Sequence, residues 1–450
     1  MSALAFWGGL LACSFGFGLG ASLDDPRRRF AAFALSWALA AGGSLLVAHA
    51  RPRGRRLALA IVIGLLARWL ALSLTPAFSS DVFRYRYEGA VAIEEGPLFP
   101  YRHPPADGRL LKTEAANDPA WKRINHPELA TLYPPVALGL FALASGLGKL
   151  IGSLLALQLL FVGADLALWR VLHRIDPGRA LLWGLSPLVV WEIGREGHVD
   201  GVAALGLWGG ALALERGYAH RGHLAWALAG LTKLTGFVLA PLALVRARRG
   251  AWIWVAALAV LVVPYGVSLG SDAGGVAAYA TRWRAGDGAF SGLLWLAEQL
   301  LGGDWHRFER LGVTLTRHQL ARALAALGFG GVYLWTLRLR ANPVAQAGLL
   351  LLGLLLLSPT VHPWYLLWVL PFAGGASPMV RAAILWLASS AVLLHLPTHL
   401  ELLHGQWREP AWARLLVHGP AWGLLLATIL RWRGSASGVS SKPCPSKTSS

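Results

Sequence analysis

Cysteine is nearly absent from this sequence: only Cys13, inside an apolar run, and Cys444, near the C-terminus, occur. That excludes a disulfide framework and a cysteine-based metal centre. Charge is scarce too, with Asp, Glu, Lys and Arg making up 14% of the 450 residues, against about 25% in soluble domains. Also missing are a Gly-rich phosphate loop, a dinucleotide-binding pattern and any convincing internal repeat. The first two absences argue against an enzyme that takes its substrate from a soluble nucleotide sugar. What remains is a chain that is 55% hydrophobic, with long apolar runs between short Arg/Gly clusters. The runs do not alternate as the strands of a membrane β-barrel would, so the fold class is all-α, a polytopic transmembrane bundle.

The formal net charge is +18, and much of the excess sits in short clusters: Arg51 to Arg56 (RPRGRR), Arg246 to Arg249 (RARR), and Arg338 with Arg340. No basic soluble domain is present to bind nucleic acid. The pattern is instead the positive-inside bias joined to attraction for anionic headgroups, so membrane lipids are the partners it implies. Most of the 22 Trp read as interfacial anchors. The N-terminus lacks a basic n-region and is expected to be the first, uncleaved span.

Apolar segments run from about residue 2 to 430, and several are shorter than the roughly 20 residues a straight span needs. We therefore expect about 11 to 13 crossings, the rest being re-entrant or interfacial. RPRGRR has no acid and belongs in the cytoplasm, which places residues 78–130 outside. That loop has seven basic residues and eight acidic ones, hence −1 in a +18 protein. Counting every block as one crossing would put Arg170–Arg179 outside, against the charge rule, so one short block such as 134–148 is expected not to cross fully. We read 1–433 as a single transmembrane catalytic domain with its active-site loop at 78–130. Residues 434–450 (GSASGVSSKPCPSKTSS) read as a disordered tail.

The loop opens Ser79-Ser80-Asp81-Val82-Phe83-Arg84-Tyr85-Arg86-Tyr87-Glu88-Gly89. In a helix Asp81 and Arg84 are i,i+3 neighbours, and the bland reading is a helix-start acid paired with a nearby Arg. The loop continues through GPLFPY (96–101), INHPE (124–128) and TLYPP (131–135). These Pro/aromatic elements fix an irregular backbone next to polar side chains, which suits a ligand with polar and apolar parts.

The order SSDVFRYRYEG, GPLFPY, INHPELATLYPP resembles the first extracytoplasmic loop of GT-C glycosyltransferases, in particular the bacterial polyprenyl-phosphate-sugar-dependent mannosyltransferases. Asp81, Arg84, Tyr85, Glu88 and Gly89 fall on that pattern. Ser80 stands where many members carry a first Asp, so a two-carboxylate metal motif is incomplete; no cofactor is certain, and a divalent metal is left as an open option. PLVVWEIGREGHVDG (187–201), KLTGFVLAP (233–241) and SPTVHPWY (358–365) resemble later blocks of the family in the expected order. The resemblance implies a GT-C-like bundle with short juxtamembrane helices in the large first loop. It also implies inverting transfer of a hexose, mannose first, from a polyprenyl-phosphate donor to an extracytoplasmic glycan or lipid acceptor at a bacterial-type inner membrane.

Such a transfer needs a base near the acceptor hydroxyl and cations for the leaving phosphate. Asp81 is the candidate base and Glu88 the reserve. Arg84, Arg195, Lys233, His198 and His362 are candidates for the phosphate, Arg as a bidentate and Lys as a point donor. Tyr85, His126, Tyr133, Asp200 and Tyr365 complete the candidate substrate-binding set. Each has a structural alternative: His198 and Asp200 as a polar helix end, His362 as an interfacial anchor. Lys233 interrupts an apolar run, a costly position that points to a functional partner. Two rivals are a lipid-linked sugar transporter or flippase, which should show paired inverted repeats, and an O-antigen ligase or polymerase using a diphosphate donor. The topology is tested by cysteine labelling: in a cysteine-free background, an impermeant reagent should reach Asp107→Cys in intact cells and Arg53→Cys only after permeabilisation.

Overall fold

The structure, a computed structural model, describes residues 2–21, 29–110, 117–271, 274–308 and 313–436. Among them the architecture is all-α, as expected; the named strands form one short antiparallel hairpin, Trp305–Phe308 with Val313–Thr316. Seven helices are long and apolar enough to cross a membrane: Ala3–Ala21, Arg29–His49, Ser153–Ile175, Trp252–Leu269, Arg317–Arg338, Pro378–His404 and Ala411–Arg431. Three shorter apolar helices accompany them, Pro135–Ile151, Ala289–Leu301 and Pro343–Leu357. The last helix continues to Ala436, so residues 434–436, read from sequence as the start of the tail, are helical; 437–450 lie outside the described residues.

Other apolar blocks of the sequence are not single rods, for local reasons. The block after residue 180 breaks at Ser186-Pro187 and then winds into a π-helical turn, Val190–Arg195. The block 222–244 breaks at Lys233, which is extended (φ −143°, ψ 130°) between Ala219–Thr232 and Thr235–Val238. Pro363 and Pro371 each open a 3-10 segment, Pro363–Trp368 and Leu370–Gly374. Proline removes a backbone donor and resists helix interiors, and such broken backbone is tolerated at membrane depth only where protein or a cavity surrounds it. The chain surrounds it here: residues 187–200 and 363–373 are buried throughout, and at the third break the Lys233 side chain is largely covered.

The Gly54–Leu72 helix carries Arg68 into this interior. Its guanidinium meets Asp165 through Nε at 2.5 Å and Nη2 at 3.0 Å. Nη1 donates to the carbonyls of Gly64 and Gly184, and Trp183 Nε1 donates to Asp165 at 2.7 Å. A buried charge is tolerable only when matched in this way. The pair pins the third helix, Ser153–Ile175 and the 181–184 turn together.

Gly178 packs against Arg51: a Cβ there would sit 3.4 Å from the Arg51 Cα. The Arg170–Arg179 end therefore shares a face with RPRGRR.

The 78–130 loop is built from short helices: Asp81–Glu94, Phe99–Arg102 and Pro119–Arg123. The Asp81–Glu94 helix lies against Pro135–Ile151 so closely that a Cβ at Gly89 would run into the Phe141 carbonyl group and stand 2.7 Å from Ser145 Oγ. Gly89→Ala should therefore destabilise by about 1–3 kcal/mol, the usual cost of overpacking. Gly139→Ala, with nothing within 4 Å of its Cβ, should be neutral or mildly stabilising. Thermal unfolding in one detergent checks both; equal midpoints would mean that the helices are not in this contact.

Candidate functional site

A cavity of about 640 Å³ opens at the Asp81 end of that helix. Asp81 heads the helix because its carboxylate suits the first turn, and its N–H is held by Ser79 Oγ at 3.2 Å. Glu196 fixes the irregular segment leading into it, accepting the N–H groups of Ala77, Phe78 and Ser79 at 3.0 to 3.1 Å. The Asp81 side chain is 17% exposed and faces the cavity. Burial raises its carboxyl above the ordinary carboxylate range, while Lys233 and Arg84 pull it back down.

Lys233 reaches the same cavity from the helix break. Its Nζ lies 3.4 Å from Asp200 Oδ2 and over the rings of Tyr133 and Tyr365, at 5.3 and 5.5 Å from their centroids. A carboxylate and two aromatic faces make this cation affordable away from water. Asp200 is in turn fixed by Trp368 Nε1 at 2.8 Å. Tyr365 exchanges a 2.6 Å hydrogen bond with Tyr279 and stacks on Trp368. His362 stacks on Trp364 at 4.5 Å, and His198 stacks on Trp364 at 3.8 Å.

The candidates of the sequence thus divide. Asp81, Arg84, His126, Tyr133, Lys233, His362 and Tyr365 line the cavity; Tyr85, Glu88, Arg195, His198 and Asp200 stand behind its wall. Arg84 lines it with its terminal nitrogens engaged. Rather than pairing with Asp81, as i,i+3 spacing suggested, it meets Glu88 at 3.1 Å and the carbonyls of Asn125, His126 and Leu129 at 2.5 to 3.2 Å. Glu88 is buried, held also by Thr131 Oγ1 at 2.6 Å, and burial raises its carboxyl. Tyr85 is fully buried against Phe141. Arg195 donates Nε to Thr75 O at 2.9 Å. His126 adopts φ +48°, a left-handed conformation uncommon outside glycine, and meets Trp283 edge-on at 4.7 Å.

Several cavity residues escaped the sequence reading: Arg123, Tyr279, Arg282, Trp283, Trp364, His395 and Glu401. Arg282 has no hydrogen-bond or ion-pair partner among the described residues and ends the Gly275–Arg282 helix. Glu192 and Glu196 sat inside a quoted motif, and their acid-rich spacing in an apolar block was the usable signal. Among the described residues no three His, Cys, Asp or Glu side chains gather as a metal site.

A family model described as the MptB C-terminal domain matches residues 301–418. The chain is also 27% identical over 361 residues to alpha-(1->6)-mannopyranosyltransferase B of Corynebacterium glutamicum, an alignment covering 69% of this chain and 58% of that protein. This chain thus spans somewhat over half the length of that relative. No solved structure matches. The resemblance read from the sequence is thus supported by two likenesses, to the MptB C-terminal domain over residues 301–418 and to a mannosyltransferase over 69% of the chain.

Arg84→Met would leave Glu88 buried with Thr131 alone, and breaking such a pair costs about 3–5 kcal/mol. The variant should unfold at lower temperature and be cut faster by protease within 124–130. Arg84→Met/Glu88→Leu should lose less stability than Arg84→Met; a larger loss in the double variant would refute the pairing.

Proposed function

We propose that this chain is an inverting glycosyltransferase that moves a hexose, mannose in the first instance, from a polyprenyl-phosphate donor to a glycan or lipid acceptor. The reaction is assigned to the extracytoplasmic side of a bacterial-type inner (plasma) membrane, where the charge of residues 78–130 places the loop. One observation carries the reading: a carboxylate and a cation, Asp81 and Lys233, face one aromatic-lined cavity in an apolar helical body. The relative's name describes a mannosyl transfer, which supports the sugar.

Asp81 takes the proton of the acceptor hydroxyl as that oxygen attacks the anomeric carbon. The bond to the donor phosphate breaks on the opposite face, so a single displacement inverts the centre and turns a β-linked lipid donor into an α-glycoside. Lys233, assisted by His362, receives the charge that develops on the leaving phosphate. Arg282, exposed at the mouth, adds a guanidinium that can hold phosphate bidentately. The rings of Tyr133 and Tyr365 flank a transition state of oxocarbenium character.

The test is transfer by purified protein from synthetic polyprenyl-phosphate mannose to a mannoside acceptor, with a diphosphate-linked donor alongside. Asp81→Asn should lose about 10² to 10⁴-fold in kcat, the range for removing a general base, with donor binding retained. Glu88→Gln in the same membranes is the control, and a dead Glu88→Gln beside an active Asp81→Asn would move the role to Glu88. Lys233→Ala and His362→Ala should weaken donor binding, and full affinity in both would refute the phosphate assignment. Turnover from the diphosphate donor alone would make the chain a ligase-like enzyme.

The pH dependence has a defined sign. A base works deprotonated, and burial raises Asp81, so activity should fall on acidification at a pH above the ordinary Asp value of about 3.9. Lys233 lowers the Asp81 carboxyl; Lys233→Met should therefore move the acid limb of kcat further up in pH. A downward shift would contradict the arrangement.

A further inference from the structure

Behind Asp81 runs a row of polar groups that the transfer step above does not use. His198 is fully buried, with Nδ1 3.8 Å from Asp81 Oδ2 and Nε2 3.6 Å from Glu192 Oε2. Neither of its ring nitrogens, nor Glu192 Oε2, has a hydrogen-bond partner among the described residues. The other carboxylate oxygen, Glu192 Oε1, meets His395 Nε2 at 2.7 Å, and His395 lines the cavity. Buried polar atoms without partners are rare, and each calls for a cause. Here the two ring nitrogens face a carboxylate on either side, Asp81 and Glu192, across gaps somewhat longer than a hydrogen bond, as catalytic contacts often do before substrate tightens them.

The backbone is shaped to make this row. The π-helical turn Val190–Arg195 carries Glu192 inward, and π-turns favour functional sites. Gly197 follows at φ +70°, where a Cβ would also stand 2.9 Å from Val82 of the Asp81 helix. That glycine lets the next residue, His198, pass beneath Asp81, and the Trp364 indole holds its imidazole by stacking.

We propose that His198 and Glu192 are positioning residues for Asp81: His198 receives, through Asp81, the proton that the acceptor hydroxyl loses. Glu192, anchored by His395, balances the imidazolium that forms. This deepens the proposed function and rests on it. In the step, the acceptor oxygen bonds to the anomeric carbon while the carbon–phosphate oxygen bond breaks, its electron pair leaving with the phosphate. The hydroxyl proton passes to an Asp81 oxygen and then to His198 Nδ1, whose Nε2–H faces Glu192. After product leaves, the proton returns by Asp81 to cavity water, so no oxidant or co-reactant is involved. Burial, Lys233, His395 and His362 hold the free imidazole below its ordinary value, so it takes the proton only as the carboxylates on either side of it, Asp81 and Glu192, balance the charge. The other groups acting on Asp81 are Arg84 and Tyr85 on its own helix, Lys233 at the helix break and Tyr133 from the loop, with Glu88 and Asp200 the neighbouring carboxylates.

The experiment joins steady-state kinetics with the polyprenyl-phosphate mannose donor to an infrared titration of the same protein in membranes. His198→Gln and Glu192→Gln should each lower kcat about 10- to 100-fold with KM unchanged, within the span of acid–base contributions. The double variant should be no slower than the slower single, because groups acting as a unit are not additive. Glu192→Asp should recover part of the loss. In the infrared, the protonated-carboxyl band that Asp81→Asn removes should titrate about one pH unit higher in His198→Gln, having lost a neighbour able to become a cation. A parent-like kcat or a parent-like infrared midpoint in His198→Gln overturns the inference, and so do fully additive losses in the double variant. If His198→Gln does not fold, His395→Gln and Glu192→Asp carry the same two readouts. A parent protein without transfer from the lipid donor would instead sink the proposed function, while the infrared midpoint still decides the coupling.

Discussion

A carboxylate removed from water carries a penalty of several kcal/mol that only a well-placed partner offsets, and this constraint organises the centre of the molecule. Asp165 is matched by Arg68, Glu88 by Arg84 and Thr131, Asp200 by Lys233 and Trp368. Glu196 accepts three backbone N–H groups instead. Apart from the i,i+4 pair of Arg84 with Glu88, each match joins segments far apart in the chain, so the charges fix the tertiary arrangement that the apolar helices, packing without a hydrophobic drive in lipid, leave less defined. Asp81 differs from these carboxylates. It faces an open cavity, has a cation near but not bonded to it, and stands before an imidazole that makes no hydrogen bond among the described residues.

Rigidity comes from broken rather than continuous backbone. The π-turn, the extended Lys233 and the paired 3-10 segments each free backbone groups and aim a side chain inward. Aromatic contacts then fix those side chains: Trp364 stacks with both His198 and His362, and Tyr365 stacks on Trp368 while its hydroxyl bonds that of Tyr279. A reactive constellation held on element ends and packed rings is better defined than one on loop tips.

The bundle was legible from composition and apolar run length, because lipid leaves few options for the backbone. The Asp81 segment was legible because its pattern is contiguous. Lys233 stood out as a charge in an apolar run. Less visible was the part played by Arg84, whose main partners are carbonyl oxygens about 40 residues away; backbone acceptors leave no trace in residue identity. His395 and Arg282 were missed since each sits in an unremarkable stretch and gains its place only from tertiary packing. Where the apolar blocks break could be read at prolines, but the π-turn has no proline within it and so gave no signal.

The pairing of Glu192 with His395 spans 203 residues, and that separation has a price in time during synthesis. At about 5–20 residues per second, roughly 10 to 40 seconds pass between the emergence of one partner and the other. Throughout that interval Glu192 has only the His198 imidazole beside it, and the half-made bundle must hold it without its 2.7 Å partner. The helices that deliver His395 come late in the chain, so insertion of the C-terminal third closes the core as well as extending it. A nascent chain stalled before His395 would therefore present a half-matched acid to whatever machinery inserts and inspects membrane proteins.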